Sequence, residues 1–226
     1  MKVLAVENNL ELLKLLSHLL EKEGFETQTA TGGEEALRKF AEKKPDIACL
    51  DILLEDISGY EVCRQMRAAD ADMPILLITS KSRPADIEEG MKAGATEYII
   101  KPFDLMSITV LLHKTARTRL ERIDPDAAAK FFDFGDMRVY PAQLRGERDG
   151  SEIPLNLREV NILSLLHGQK GNLVANDKIS ALCWKSENMP PEKALEWQIQ
   201  QLRKKIEADP ANPGLIRTGD GGYLFG

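Results

Sequence analysis

Five times in its first 120 residues the chain passes from a short apolar, β-rich run to a segment of helical period, and this alternation constrains its fold more than any other feature. The runs are KVLAV, FETQTA, DIACLD, PILLITS and EYIIK. The helical segments are Leu10–Glu23, Glu34–Lys43, Gly59–Ala69, Pro84–Ala93 and Leu105–Arg119. Strands that are apolar almost throughout are buried on both faces, as in parallel sheets covered by helices. In the first helix Leu12, Leu15, Leu16, Leu19 and Leu20 recur at helical spacing and predict a single apolar stripe. The expected fold of this half is therefore α/β, a five-stranded, doubly wound parallel sheet.

In such sheets reactive groups gather at the carboxyl ends of the strands. Here those ends carry Glu7 and Asn8, Asp51, Thr79 with Ser80, and Lys101 with Pro102. Each residue type has a chemical use there. Asp51 can attack phosphorus and become an aspartyl phosphate. Hard oxygens from carboxylates and backbone carbonyls suit Mg2+. Lys101 and the Thr79 hydroxyl can bond phosphoryl oxygens. A lone Asp after an apolar strand is usually a cap or a loop acid, so it is the set, in this order, that is informative.

Several classes are excluded or unsupported. No run reaches the roughly 18 apolar residues of a membrane span, and the N-terminal MKVLAVENN turns acidic before a signal-peptide core could form. Cys49, Cys63 and Cys183 show no metal-like spacing and read as buried free thiols suited to a reducing cytoplasm. His18, His113 and His167 are far apart, so neither a His-based metal site nor a metabolic enzyme is indicated.

An Asp- and Ala-rich stretch, IDPDAAAK, marks a boundary, giving units over residues 1–121 and 131–226 with a linker over 122–130. The formal charge of -6 lies in the first part; residues 127–226 carry 13 basic and 13 acidic side chains, so any nucleic-acid binding must come from a local cluster. Beyond the boundary, FFDFGDMRVY, QLRGER and SEIPLN predict a small antiparallel sheet. Three helices follow. The first starts at Asn156, the second lies near NDKISALCW, and the third opens at Pro190–Pro191 and runs through EKALEWQIQQLRKKIEA. In the third, Leu195, Ile199, Leu202 and Ile206 form a buried stripe, leaving Trp197, Gln198, Gln200, Gln201, Arg203, Lys204 and Lys205 for a major groove. Two strand-like pieces around GDGG predict a closing hairpin, which also carries Arg217.

Through DIACLDILLEDISGYEV, PILLITS and GATEYIIKPF, residues from Lys2 to about Arg119 resemble the flavodoxin-like receiver domain of bacterial response regulators. The resemblance implies phosphotransfer from a sensor histidine kinase to Asp51, and a Thr79/Tyr98 rearrangement that moves the face of the fourth helix, fifth strand and fifth helix. It also implies phosphate contacts from Lys101, a cis Lys101–Pro102 peptide, and Mg2+ held by Glu7, Asn8, Asp51 and the backbone of Leu53. Through LNLREVNILSLL, QLRKKIEADPANPGLIRT and the final GGY, residues from about Phe131 to Gly226 resemble the OmpR/PhoB-type effector, an α+β winged helix-turn-helix. That resemblance implies a homodimer on double-stranded DNA at direct-repeat promoter sites, and contact with RNA polymerase through the loop KSENMPP.

The departures from these patterns carry information of their own. Receivers place two acids after the first strand, whereas VENN keeps Glu7 and puts Asn8 second, so the Mg2+ site loses one negative charge. Asn8 with Glu11 also reads as an N-cap pair. Glu55 stands where proline is usual and could replace part of the lost charge. On the expected dimer face, marked by Ile87, Lys92, Glu97 and Leu111, Ile87 and Leu111 occupy basic positions and Thr96 an acidic one, which favours an apolar contact less dependent on phosphorylation. The wing tip carries Asp220 instead of an arginine, so weak non-specific DNA binding is expected. The alternative reading is a receiver-type protein-interaction module with weak or no DNA binding.

Overall fold

In the computed structural model, which describes residues 1–124, 126, 129–184 and 192–226, the chain divides into two units, Met1–Arg119 and Leu120–Gly226. The first holds β1 (Lys2–Val6), α1 (Leu10–Lys22), β2 (Glu26–Ala30), α2 (Gly33–Lys43), β3 (Ile47–Leu50), α3 (Gly59–Ala69), β4 (Ile75–Thr79), α4 (Pro84–Lys92) and β5 (Glu97–Ile100). α5 (Leu105–Ile123) runs four residues past the end expected from periodicity. The five strands are parallel in the order β2-β1-β3-β4-β5. β1, β3 and β4 are buried almost end to end, which explains their near-continuous apolar sequences.

The phase of α1 differs from expectation. Its buried residues are Leu13, Leu16 and Leu20, while Leu15 faces solvent. Leucines crowd this helix so densely that spacing alone does not fix which edge of the stripe meets the sheet. The cap differs as well. Asn9, not Asn8, accepts from the backbone N–H groups of Glu11 and Leu12, both at 3.0 Å. Gly59 begins α3 where the backbone passes directly over the residue that follows β3, and a Cβ there would stand 2.1 Å from the Asp51 carbonyl oxygen.

The second unit opens with an antiparallel sheet of β6 (Phe132–Phe134), β7 (Met137–Tyr140), β8 (Arg145–Arg148) and β9 (Ser151–Pro154). Then come α6 (Leu157–Gly168), β10 (Val174–Ala175), α7 (Asn176–Cys183), α8 (Glu192–Ile206), β11 (Ile216–Gly219) and β12 (Gly222–Phe225). Asn156 and Glu159 close a reciprocal capping box on α6. β11 and β12 form the hairpin read from the sequence, and β10, which the sequence did not reveal, pairs with β12. Phe134 stacks on Phe225 at 3.8 Å, tying the first sheet of this unit to the hairpin. The expected helix start at Pro190–Pro191 and the loop KSENMPP lie outside the described residues, as does part of the stretch read as a linker.

Cys49, Cys63 and Cys183 are free and buried, and burial pushes their thiols up to about 12, 11 and 12. Among the described residues no helix is long and apolar enough to cross a membrane.

Candidate functional site

The strand order of the first sheet reverses at β1, so the crevice beyond β1 and β3 is the topological switch point. Val6 pairs with Leu50, so the next residues, Glu7 and Asp51, leave the sheet side by side. Backbone bonds hold both, with Asp51 N donating to Val6 O (2.9 Å) and Glu7 N to Ala30 O (3.0 Å). Lys101 follows β5, its backbone N–H donating to Thr79 O at 2.8 Å and its peptide to Pro102 cis, as the resemblance implied. Its ammonium donates to Glu7 Oε2 at 2.5 Å and to Asp51 Oδ2 at 2.6 Å. The other carboxylate oxygens accept from backbone N–H groups, Asp51 Oδ1 from Leu53 (2.9 Å) and Glu7 Oε1 from Asn9 (3.2 Å).

Both acids are only 4 % exposed. Burial pushes the Glu7 carboxyl above its ordinary value, and the bonds from Lys101 and Asn9 offset only part of that. Burial also opposes the charge on Lys101, yet the bonds to Asp51 and Glu7 outweigh it and hold the ammonium above its ordinary value.

Two buried carboxylates, the exposed amide of Asn8 and the backbone of Leu53 make a hard-oxygen donor set that fits Mg2+. Because Asn9 caps α1, the Asn8 amide oxygen is not engaged there. Among the described residues no three His, Cys, Asp or Glu side chains gather as a metal cluster. Glu55 is exposed in the β3–α3 loop, outside the Lys101 cluster. Its neighbour Asp56 instead accepts from Gly33 N (2.7 Å) and Glu34 N (2.8 Å), capping α2 from across the loop. Those two bonds, Glu34 first, hold its carboxyl below the usual range.

Thr79 is fully buried at the end of β4, and its hydroxyl oxygen accepts from Lys81 N at 3.4 Å. The ring of Tyr98 lies against α4, where only Gly90 leaves room; a Cβ at that position would stand 2.7 Å from the ring. The Tyr98 hydroxyl donates to Lys81 O (3.2 Å), and the Tyr60 hydroxyl donates to Asp86 O at 3.0 Å. Burial and then Tyr60 push the Tyr98 phenol far above its ordinary value. The Lys81 ammonium lies 4.8 Å from the centre of the Tyr60 ring, and Arg83 bonds Asp86 through two nitrogens, at 2.8 and 3.1 Å. Tyr60 thus ties α3 to α4, next to the bond by which Tyr98 holds the segment after β4. Sequence reading passed over it, although an aromatic with a polar tip beside Gly59 was a usable signal.

On the expected dimer face Ile87 and Leu111 are half-buried. Lys92 pairs with Glu88 at 2.5 Å, and Glu97 with Lys114 at 3.5 Å. Met91 and Ile100 are exposed nearby on α4 and β5.

α8 corrects two of the expected DNA contacts. Gln198 is 2 % exposed and Arg203 5 % exposed, both turned into the unit beside Leu195, Ile199, Leu202 and Ile206. Arg203 donates to Ile216 O through Nε (3.0 Å) and a terminal nitrogen (2.7 Å), and to Thr218 Oγ1 at 2.9 Å. Neither residue can reach a groove, because the stripe of the helix is wider than its four aliphatic residues. Lys205 lies partly exposed and pairs with the buried Glu159 at 2.7 Å. The outward residues are Trp197, Gln200 and Lys204, with Gln201 half-buried at their edge and Arg217 and Asp220 exposed on the hairpin.

Comparison with known proteins places these features. Residues 3–113 match the family described as "Response regulator receiver domain", and residues 150–225 the family described as "Transcriptional regulatory protein, C terminal". The chain is 30% identical over 226 residues to "DNA-binding response regulator MtrA" of Mycolicibacterium paratuberculosis, covering 100% of this chain and 98% of that one. It is 31% identical over 223 residues to "Alkaline phosphatase synthesis transcriptional regulatory protein PhoP" of Bacillus subtilis, covering 96% and 92%. Among solved structures, the response regulator DrrB of Thermotoga maritima, described as an OmpR/PhoB homolog, is 29% identical over 99% of this chain and 98% of that one, with a TM-score of 0.45. A two-component response regulator from Clostridium difficile aligns with 55% of this chain and 98% of its own at 26% identity and a TM-score of 0.50.

Proposed function

The chain belongs to the OmpR/PhoB family of DNA-binding transcriptional response regulators, and we propose that within it Asp51 is the phosphoacceptor through which a sensor histidine kinase controls how α8 and the wing hold DNA. The observation that carries this reading is the ammonium of Lys101 bridging two buried carboxylates at the switch point of the sheet. An oxygen of Asp51 attacks the phosphorus of a phosphohistidine; the P–O bond forms as the P–N bond breaks, and the departing imidazole nitrogen keeps the electron pair. Lys101 follows the new charge onto the phosphoryl oxygens, and the Thr79 hydroxyl turns from Lys81 to donate to one of them. When bound by Glu7, Asn8, Asp51 and the backbone of Leu53, Mg2+ supplies further neutralisation of those oxygens, more weakly than at a site with a third carboxylate. Transfer to Asp51 and hydrolysis of the product are the only chemistry we assign.

We assign the receiver to residues 1–121, a linker to 122–130 and the effector to 131–226. The partners are a sensor histidine kinase, double-stranded DNA at direct-repeat sites, RNA polymerase through residues 185–191, and a second copy of the chain. The three buried free thiols support a reducing cytoplasm. The apolar side chains Met91 and Ile100 beside Ile87 and Leu111 favour dimerisation that is partly independent of phosphate; a purely monomeric unphosphorylated protein in sedimentation would sink that part.

Mass spectrometry after incubation with acetyl phosphate tests the whole reading. A Mg2+-dependent phosphoryl adduct that disappears in Asp51→Ala supports it. A folded protein that takes no adduct from the small donor or from any phosphorylated kinase rules it out.

A further inference from the structure

We propose that α8 reads a core of A·T pairs, with Trp197 against thymine methyl groups and Gln200 and Gln201 on adenines. This rests on the assignment of α8 as the element that enters the major groove. With Gln198 and Arg203 turned inward, the outward stripe runs Lys193, Trp197, Gln200, Lys204 at helical spacing, flanked by the half-buried Gln201. Trp197 is 49 % exposed. From Trp197 to Lys204 the helix advances about 10 Å, or about three base steps.

The chemistry of that stretch is selective. Guanine is read chiefly by a guanidinium or ammonium on O6 and N7, adenine by a side-chain amide on N6 and N7, and thymine by apolar contact with its methyl group. The centre of the stripe offers two amides and an indole. The arginine of α8 is buried and bonds Ile216 O and Thr218 Oγ1, so its guanidinium does not face a base. Lys193 and Lys204 stand at the two ends, where they suit phosphates. Glu196 lies on the flank toward Tyr223 of the wing, whose phenol its charge helps to push up. Arg217, exposed on β11, suits the narrow and strongly negative minor groove of A·T-rich DNA.

The test is selection of duplexes from a randomised pool by the full chain treated with acetyl phosphate, followed by salt titrations on the enriched site. The expected consensus holds adjacent A·T pairs, each weakening binding on the order of tenfold when replaced by G·C. In Trp197→Ala the ratio between the A·T and G·C duplexes collapses at one or two positions, and in Gln200→Arg one position moves from adenine to guanine; equal melting temperatures check that both variants are folded. A guanine-rich consensus overturns the proposal, as does a consensus that neither variant alters, or salt-dependent binding with no sequence preference. Absence of binding at every salt concentration would remove the groove assignment of α8 itself, and this proposal with it.

Discussion

The guanidinium of Arg203 grips the carbonyl oxygen of Ile216 through two nitrogens, at 3.0 and 2.7 Å, and so fastens α8 to the first strand of the wing. A third bond reaches Thr218 Oγ1 at 2.9 Å, and the group is almost wholly buried. Arg203→Ala leaves the Ile216 carbonyl without its fork, so the second unit is expected to lose roughly 2–4 kcal/mol. Gln200→Ala, on the outer face, is expected within about 0.5 kcal/mol of the parent. Urea denaturation of the two variants side by side decides it, and equal midpoints would mean that Arg203 is not a fastener. Arg203→Lys is not a rescue, because one ammonium cannot reproduce the two-point bond.

At the proposed Mg2+ site, residue 8 would set how many carboxylates the cation meets. The cluster of Glu7, Asp51 and Lys101 carries two carboxylates against one ammonium. Asn8→Asp adds a third carboxylate beside them, and Mg2+ affinity is expected to rise on the order of tenfold, since ligand charge sets hard-cation binding. Without Mg2+ the same change crowds like charges and should lower the melting temperature; with Mg2+ the order should reverse. Calorimetric titration and melting with and without the ion measure both halves. An unchanged affinity would show that residue 8 does not face the cation.

The hydroxyl of Tyr60 donates to Asp86 O at 3.0 Å, and that of Tyr98 donates to Lys81 O at 3.2 Å. Tyr60→Phe removes the first of these, the link between α3 and α4, while keeping the ring in the buried apolar cluster that also holds Val62 and Met66. The expected cost is about 1 kcal/mol, the net worth of a typical hydrogen bond. Amide hydrogen exchange should quicken around Asp86, and the Tyr98 ring should show greater mobility by NMR. If α4 amides exchange at the parent rate, the Tyr60 hydroxyl is not what holds that helix.

Most of the first unit was legible because an apolar strand buried on both faces fixes its own end: the residue after Val6 and the one after Leu50 must emerge at the edge of the sheet, together. The same logic placed Thr79 and Lys101. What escaped were features whose partners are distant in sequence or whose local alternatives are equal. Asn8 and Asn9 are equally good caps, and the difference is one residue of backbone. Arg203 and Gln198 carry groove-like chemistry, but helical spacing sets them beside Leu195, Ile199 and Leu202, and a helical projection would have turned them inward. The bond from Arg203 to residue 216 and that from Gly33 to Asp56 have no local trace at all.

Asp56 gives the acid limb of stability a specific source. Gly32, at the N-cap of α2, has no side chain to cap with, and the Asp56 carboxylate takes the role by accepting from Gly33 N and Glu34 N. The ionised form is favoured in the folded state, so the carboxyl titrates below its ordinary 3.8. A group whose folded value is lowered contributes stability that is complete above its unfolded value and is lost as pH falls through the folded one. The contribution of Asp56 should therefore be full above about pH 4 and fade below it. Asp56→Asn keeps a side-chain oxygen but no titration, so melting temperature plotted against pH should lie below the parent near neutrality and converge with it in acid. Curves that stay parallel down to the acid transition would assign the loss to the geometry of the cap and not to its charge.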